Sequence, residues 1–83
     1  METKSPSMLK ISFKTSRKAD WLLREAETFF IGQGMNKTGA DDTSVSFVST
    51  AGYVNVNVTH QGEVMVETSE WENQVKKFAA LYR

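Results

Sequence analysis

Eighty-three residues with ten basic side chains, ten acidic side chains and no cysteine leave room for one domain and exclude a disulfide framework or a thiolate metal site. A formal net charge of zero argues against a dedicated nucleic-acid module, which carries a basic excess over the whole domain. No apolar run reaches the ~18 residues of a membrane span and the N-terminus lacks a hydrophobic signal core, so a cytoplasmic location without a membrane partner is expected.

Met1–Ser7 is polar, contains Pro6 and shows no periodicity. It reads as a disordered tail, with residues 8–83 forming a single α+β domain. From Leu9 the pattern alternates: Leu9, Ile11 and Phe13 point one way, Lys10, Ser12 and Lys14 the other, as in a half-buried strand. The period then changes. Ala19, Leu22, Leu23, Ala26, Phe29 and Phe30 fall on one helical stripe running to Ile31, with Thr15 or Ser16 as the expected cap and Gly32 and Gly34 as the stop. Trp21 falls outside that stripe, which places it on an exposed face or over a sheet edge, where a large aromatic residue serves either packing or recognition.

Met35–Thr43 is polar and reads as a connection. Three strands are expected after it, at Ser44–Thr50, Tyr53–Thr59 and Glu63–Thr68. A two-residue loop at Ala51-Gly52 would set Phe47 opposite Val56 and keep the apolar members on one face. For the second hairpin, the three-residue loop His60-Gln61-Gly62 sets Val58 against Val64 and Val56 against Val66, with Gly62 in the left-handed bulge position. Ser69-Glu70-Trp71-Glu72 has the form of a capping box, and Trp71, Val75, Phe78, Ala79 and Tyr82 continue it as an amphipathic helix.

The predicted order is β-α-β-β-β-α, a two-layer open sandwich with two helices on one face of a four-stranded sheet. A right-handed crossover through the first helix would set the first strand parallel to the second or the fourth. The helix–three strands–helix run resembles the layout of double-stranded-RNA-binding domains. Ser69-Glu70-Trp71-Glu72, however, is acidic where that family presents lysines, so the resemblance implies layout alone and no site residue.

Catalytic signals are weak. A nucleophile needs an adjacent base, and the one histidine, His60, belongs to a hairpin loop. Asp41-Asp42 lacks the further oxygens of a calcium loop, and Gly32-Gln33-Gly34 follows a helix, so it presents no helix N-terminal amides to a phosphate. No catalytic residue, metal or cofactor is expected.

The outer sheet face is more informative. Both helices are needed on the inner face, which leaves Lys10, Lys14, Tyr53, Asn55 and Asn57 on a surface that is either solvated or a recognition platform. Asparagine is a poor strand former, and Asn55 and Asn57 occupy a central strand. The chain therefore reads as a small non-enzymatic binding or accessory domain acting through protein–protein contact, with a homodimer as one form. The alternative is a nucleic-acid-binding module. Residues Met1–Arg24 carry six cationic against two acidic side chains, and Lys10, Lys14, Arg17 and Lys18 would supply its phosphate contacts.

Overall fold

The computed structural model describes residues 8–82; the Met1–Ser7 tail lies outside them. The elements are β1 (Met8–Lys14), α1 (Ala19–Gly32), β2 (Asn36–Ala40), β3 (Ser44–Val48), β4 (Tyr53–Val58), β5 (Glu63–Ser69) and α2 (Glu72–Tyr82). The fold is α+β, with the strands in one antiparallel sheet of order β1-β5-β4-β3-β2.

The sheet has five strands where the sequence pattern predicts four. The additional strand is β2, within the stretch read as a polar connection. All five of its residues are exposed, so it exists by backbone pairing with β3 and leaves no trace of apolar alternation. A bulge interrupts that pairing between Lys37 and Gly39. The extra strand also explains the second correction. Each hairpin reverses the chain, so one more strand reverses the direction of β5, and β1 pairs with it antiparallel rather than lying parallel to a neighbour.

Alternation places Leu9, Ile11, Phe13, Val45, Phe47, Val54, Val56, Val58, Val64, Val66 and Thr68 on one face. From Phe13 onward every member of that set is buried, and Leu9 and Ile11 are half-buried at the edge. Thr68 is the polar member, and its hydroxyl donates to the Tyr53 carbonyl at 2.7 Å. The second hairpin has the expected register, Val58 opposite Val64 and Val56 opposite Val66, with Gly62 at φ 80.

The first hairpin keeps its facing but slips by two residues, so that Phe47 stands opposite Val54 and Val45 opposite Val56. Its loop is longer because Ser49 organises it: the Ser49 hydroxyl accepts from the amides of Ala51 at 3.1 Å and Gly52 at 3.2 Å. The Trp71 indole donates to the same oxygen at 2.9 Å. Gly52 is required there, since a Cβ would lie 1.9 Å from the Ser69 carbonyl oxygen.

The helices cover the two halves of the inner face. α1 lies over β2, β3 and β4, and α2 over β5 and β1. They meet through Phe29, Phe30 and Phe78, with Phe30 also 5.4 Å from Phe47. Fully burying one such side chain stabilises the fold by about 1.5–3 kcal/mol.

α1 ends in a Schellman motif: the Gly34 amide donates to the Ile31 carbonyl, the Met35 amide donates to that of Phe30, and Gly34 has φ 100. Its start differs from expectation. The Thr15 hydroxyl accepts from the Arg17 amide at 3.1 Å and the Thr15 amide continues the strand pairing to Gly62, so Thr15 finishes β1 instead of capping a helix that begins at Ala19. The capping box is corrected too. Ser69 is the last residue of β5, Glu70 turns with φ 75, and α2 begins at Glu72.

Candidate binding surface

The helices share one face, so the other face of the sheet is left without a covering layer among the described residues. Reading across the pairing partners gives its rows. Met8, Ser69, Tyr53 and Val48 form one. Lys10, Glu67, Asn55 and Ser46 form the next, followed by Ser12, Met65, Asn57 and Ser44, and then Lys14 and Glu63. Alternation fixes their character: Val64 and Val66 are fully buried, whereas Met65 between them is 37% exposed. Met8 and Val48 are exposed apolar residues on the first row.

Of the eight residues singled out in the sequence, the structure gathers Lys10, Asn55 and Asn57 around a shallow depression of about 200 Å³, together with Met65 and Glu67. Tyr53 stands one row away, two residues before Asn55 on β4. Lys14 lies on the same face at the far end of β1. Arg17, Lys18 and Trp21 are elsewhere, at the start of α1.

Trp21 is half-buried, and its ring meets Tyr82 edge-on at 5.6 Å. The Arg17 guanidinium lies 4.8 Å above it, a cation–π contact that explains a cation just before a helix N-terminus. The Tyr82 hydroxyl donates to Glu25 Oε1 at 2.9 Å. Desolvation, followed by the Glu25 carboxylate, holds the Tyr82 pKa above its ordinary value. Trp21 and Tyr82 thus close the gap between α1 and α2 (a contact with the C-terminal helix that single-helix periodicity cannot reveal).

The electrostatics of the outer face are balanced. Lys10 sits opposite Glu67 and Lys14 opposite Glu63, so the basic strand visible in the sequence lies beside an acidic one. Asp41 organises the turn before β3. Its Oδ1 accepts from the Thr43 and Ser44 amides, both at 2.9 Å, and from both hydroxyls. These bonds, the Thr43 amide first, lower its pKa. His60 is exposed in the β4–β5 loop.

Alternation along β5 already assigns Glu67 to this face; what the sequence does not show is Met8 as a member and the place of Glu67 between Lys10 and Asn55. Met8 falls at the boundary of the tail, and Glu67 joins Lys10 and Asn55 only once the pairing partners of β5 are known. Among the described residues, no helix is long and apolar enough to cross a membrane, and no group of three or more histidine, cysteine or acidic residues is placed to hold a metal ion. Neither a protein-family model nor a curated protein sequence matches this chain.

Proposed function

We propose that this chain is a non-enzymatic protein-binding domain and that the outer sheet face makes the contact, with self-association as its simplest form. The supporting observation is the depression framed by Lys10, Asn55, Asn57, Met65 and Glu67, on a face that both helices leave uncovered. Its volume is below the ~300–1,000 Å³ of typical small-molecule sites, and it suits one inserted side chain better than a cofactor. Apolar Met65 among polar lining residues suits a small interface, where an apolar contact is accompanied by hydrogen-bonding groups. The engagement of Asp41 in a turn and the exposure of His60 favour binding over catalysis.

Sedimentation over a concentration series, with circular dichroism as the folding control, tests this reading. Asn55→Ala and Met65→Lys should each change stability by less than about 1 kcal/mol, as surface substitutions do, while weakening self-association. Parent-like sedimentation of both variants, or a parent that stays monomeric at every concentration, counts against the outer face.

The nucleic-acid reading rests on Lys10, Lys14, Arg17 and Lys18. The opposing Glu67 and Glu63 and the stacking of Arg17 on Trp21 weigh against it. A salt titration with a generic RNA decides: phosphate neutralisation produces a steep loss of affinity with salt that Lys14→Glu and Arg17→Glu reduce.

A further inference from the structure

Among the described residues the sheet is open at both edges, and the two are unlike. β1 is seven residues long and its pairing with β5 contains no register shift, whereas β2 is shorter and bulged. Bulges and brevity are common ways to block an edge, and β1 has neither.

The backbone groups that β1 leaves free can be identified. The Thr15 amide donates to Gly62 across the strand pair, and N–H and C=O groups alternate sides along a strand. Phe13, Ile11 and Leu9 therefore also bond to β5, while the N–H and C=O of Lys10, Ser12 and Lys14 point away from the sheet. Those same three residues carry the outward side chains.

Beside the edge, on the helix side, Ile11, Ser12, Phe13, Lys76 and Ala79 line a groove of about 240 Å³. The free edge thus has an apolar floor on one side and lysines on both: Lys10 and Lys14 on the outer face, Lys76 on α2.

We infer that β1 is a docking edge for an extended segment of another protein in which acidic and apolar residues alternate. The segment adds as a sixth strand, the mode in which main-chain bonds supply affinity and alternate side chains supply specificity. Its apolar residues enter the groove beside Ile11 and Phe13. Its carboxylates stand next to Lys10 and Lys14, each of which then lies between an incoming carboxylate and Glu67 or Glu63 of β5.

Charge selects this occupant over a second copy. Two β1 strands joined edge to edge would gather Lys10, Lys14 and Lys76 from both chains along one seam. Edge lysines are a known device against pairing with like strands, and here they reject the chain itself while admitting an acidic partner. The inference rests on the protein-binding reading but uses the edge of β1, which shares only Lys10 with the depression around Asn55.

The probe is a fluorescein-labelled peptide about eight residues long in which valine alternates with glutamate, matched to ordinary strand lengths, with binding followed by fluorescence anisotropy. It should bind the full chain, and the same peptide with lysine for glutamate should not. Lys10→Glu/Lys14→Glu should reverse that preference.

Ser12→Pro removes an outward N–H and spares the β5 ladder, so it should weaken binding by about tenfold or more. Two N-methylated peptides, one for each alternate set of amides, provide the same test without altering the protein: one should lose binding and the other keep it. Asn55→Ala should leave peptide affinity unchanged, which separates this edge from the outer face. The inference is overturned by absence of binding to the valine–glutamate peptide, by equal affinity for both charge forms, or by indifference to both methylation sets. Self-association that Ser12→Pro abolishes would assign the edge to a second copy and overturn it as well.

Discussion

The two edge strands are made of different material. β1 has an apolar row facing the helices and a polar row facing solvent; β2 has neither, and its five residues are all exposed. β1 is held by its side chains and by a regular ladder. β2 is held by its ladder to β3, by the Lys37–Glu27 ion pair at 3.4 Å and by what stands at its ends: the Schellman turn that delivers Met35 into the core, and the Asp41 turn that leads into β3. A strand can thus be specified by burial or by its connections. Only the first kind writes a periodic signature, and only the first kind offers a regular free edge with an apolar floor.

The sharpest way to break this comparison is to cut the core on each side. Phe47, on β3 next to β2, is packed against Phe30 and fully buried. Phe47→Ala should cost about 3–5 kcal/mol, most of the stability of so small a domain. Ile11 on β1 is only half-buried, and Ile11→Ala should cost about 1–2 kcal/mol. Equal costs in urea unfolding would mean that the β1 side is as tightly packed as the β2 side.

The tether at the end of β1 comes next. Gly62 has a positive φ, and a Cβ there would meet the Thr15 carbonyl oxygen at 2.7 Å. Gly62→Ala should cost about 1–3 kcal/mol, and the loss should appear as faster amide exchange at Thr15 before other residues of the sheet. A uniform rise in exchange would show that the β1 end has no separate anchorage.

Tyr82→Phe removes the bond to Glu25 while keeping the ring against Trp21, and should cost about 0.5–1.5 kcal/mol in thermal melts near neutral pH. A raised folded-state pKa contributes stability that is complete below the unfolded value and is lost as pH rises through the folded one. Alkaline destabilisation above the ordinary tyrosine range should therefore be weaker in Tyr82→Phe than in the parent.

The turn that guides β2 should give the smallest effect, because Asp41 is exposed. Its pKa is lowered, so its contribution is complete above the unfolded value and is lost as pH falls through the folded one. Asp41→Asn should flatten the acid limb of the stability curve, with melts in the acid range as the measurement. An unchanged acid limb would remove Asp41 from the account of how β2 is placed.

What is legible in the sequence follows the same division. The inner and outer faces of β1, β3, β4 and β5 are readable because a period of two survives any neighbour, and Gly62 marks the second hairpin. The slip in the first hairpin is invisible for the same reason: registers that differ by two share their facing, and the choice depends on Ser49 binding its own turn and Trp71. β2 cannot be read because Asn36, Lys37, Thr38, Gly39 and Ala40 are all exposed and show no apolar alternation. Ser69 resembles a helix cap because the residues after it fit a capping box, but the sheet claims it first. Within the candidate surface, Lys10, Asn55 and Asn57 are readable from alternation. Their meeting with Glu67 is not, since it depends on which strand lies between β1 and β4.

That intervening strand also sets an order in time. Of the five described strands β1 is synthesised before the others and β5 after them, yet the two are neighbours, with Met8 paired to Ser69 and Lys14 to Glu63. The β2–β5 meander closes short loops and can assemble by local steps, whereas β1 must wait for nearly the whole chain, and closing so long a loop is entropically the most expensive step. On the ribosome, Leu9, Ile11 and Phe13 emerge long before the strand that will pair with them and the helix that will cover them. The interval in which this apolar row seeks a substitute partner is therefore built into the element order, and it ends only when β5 and then α2 arrive.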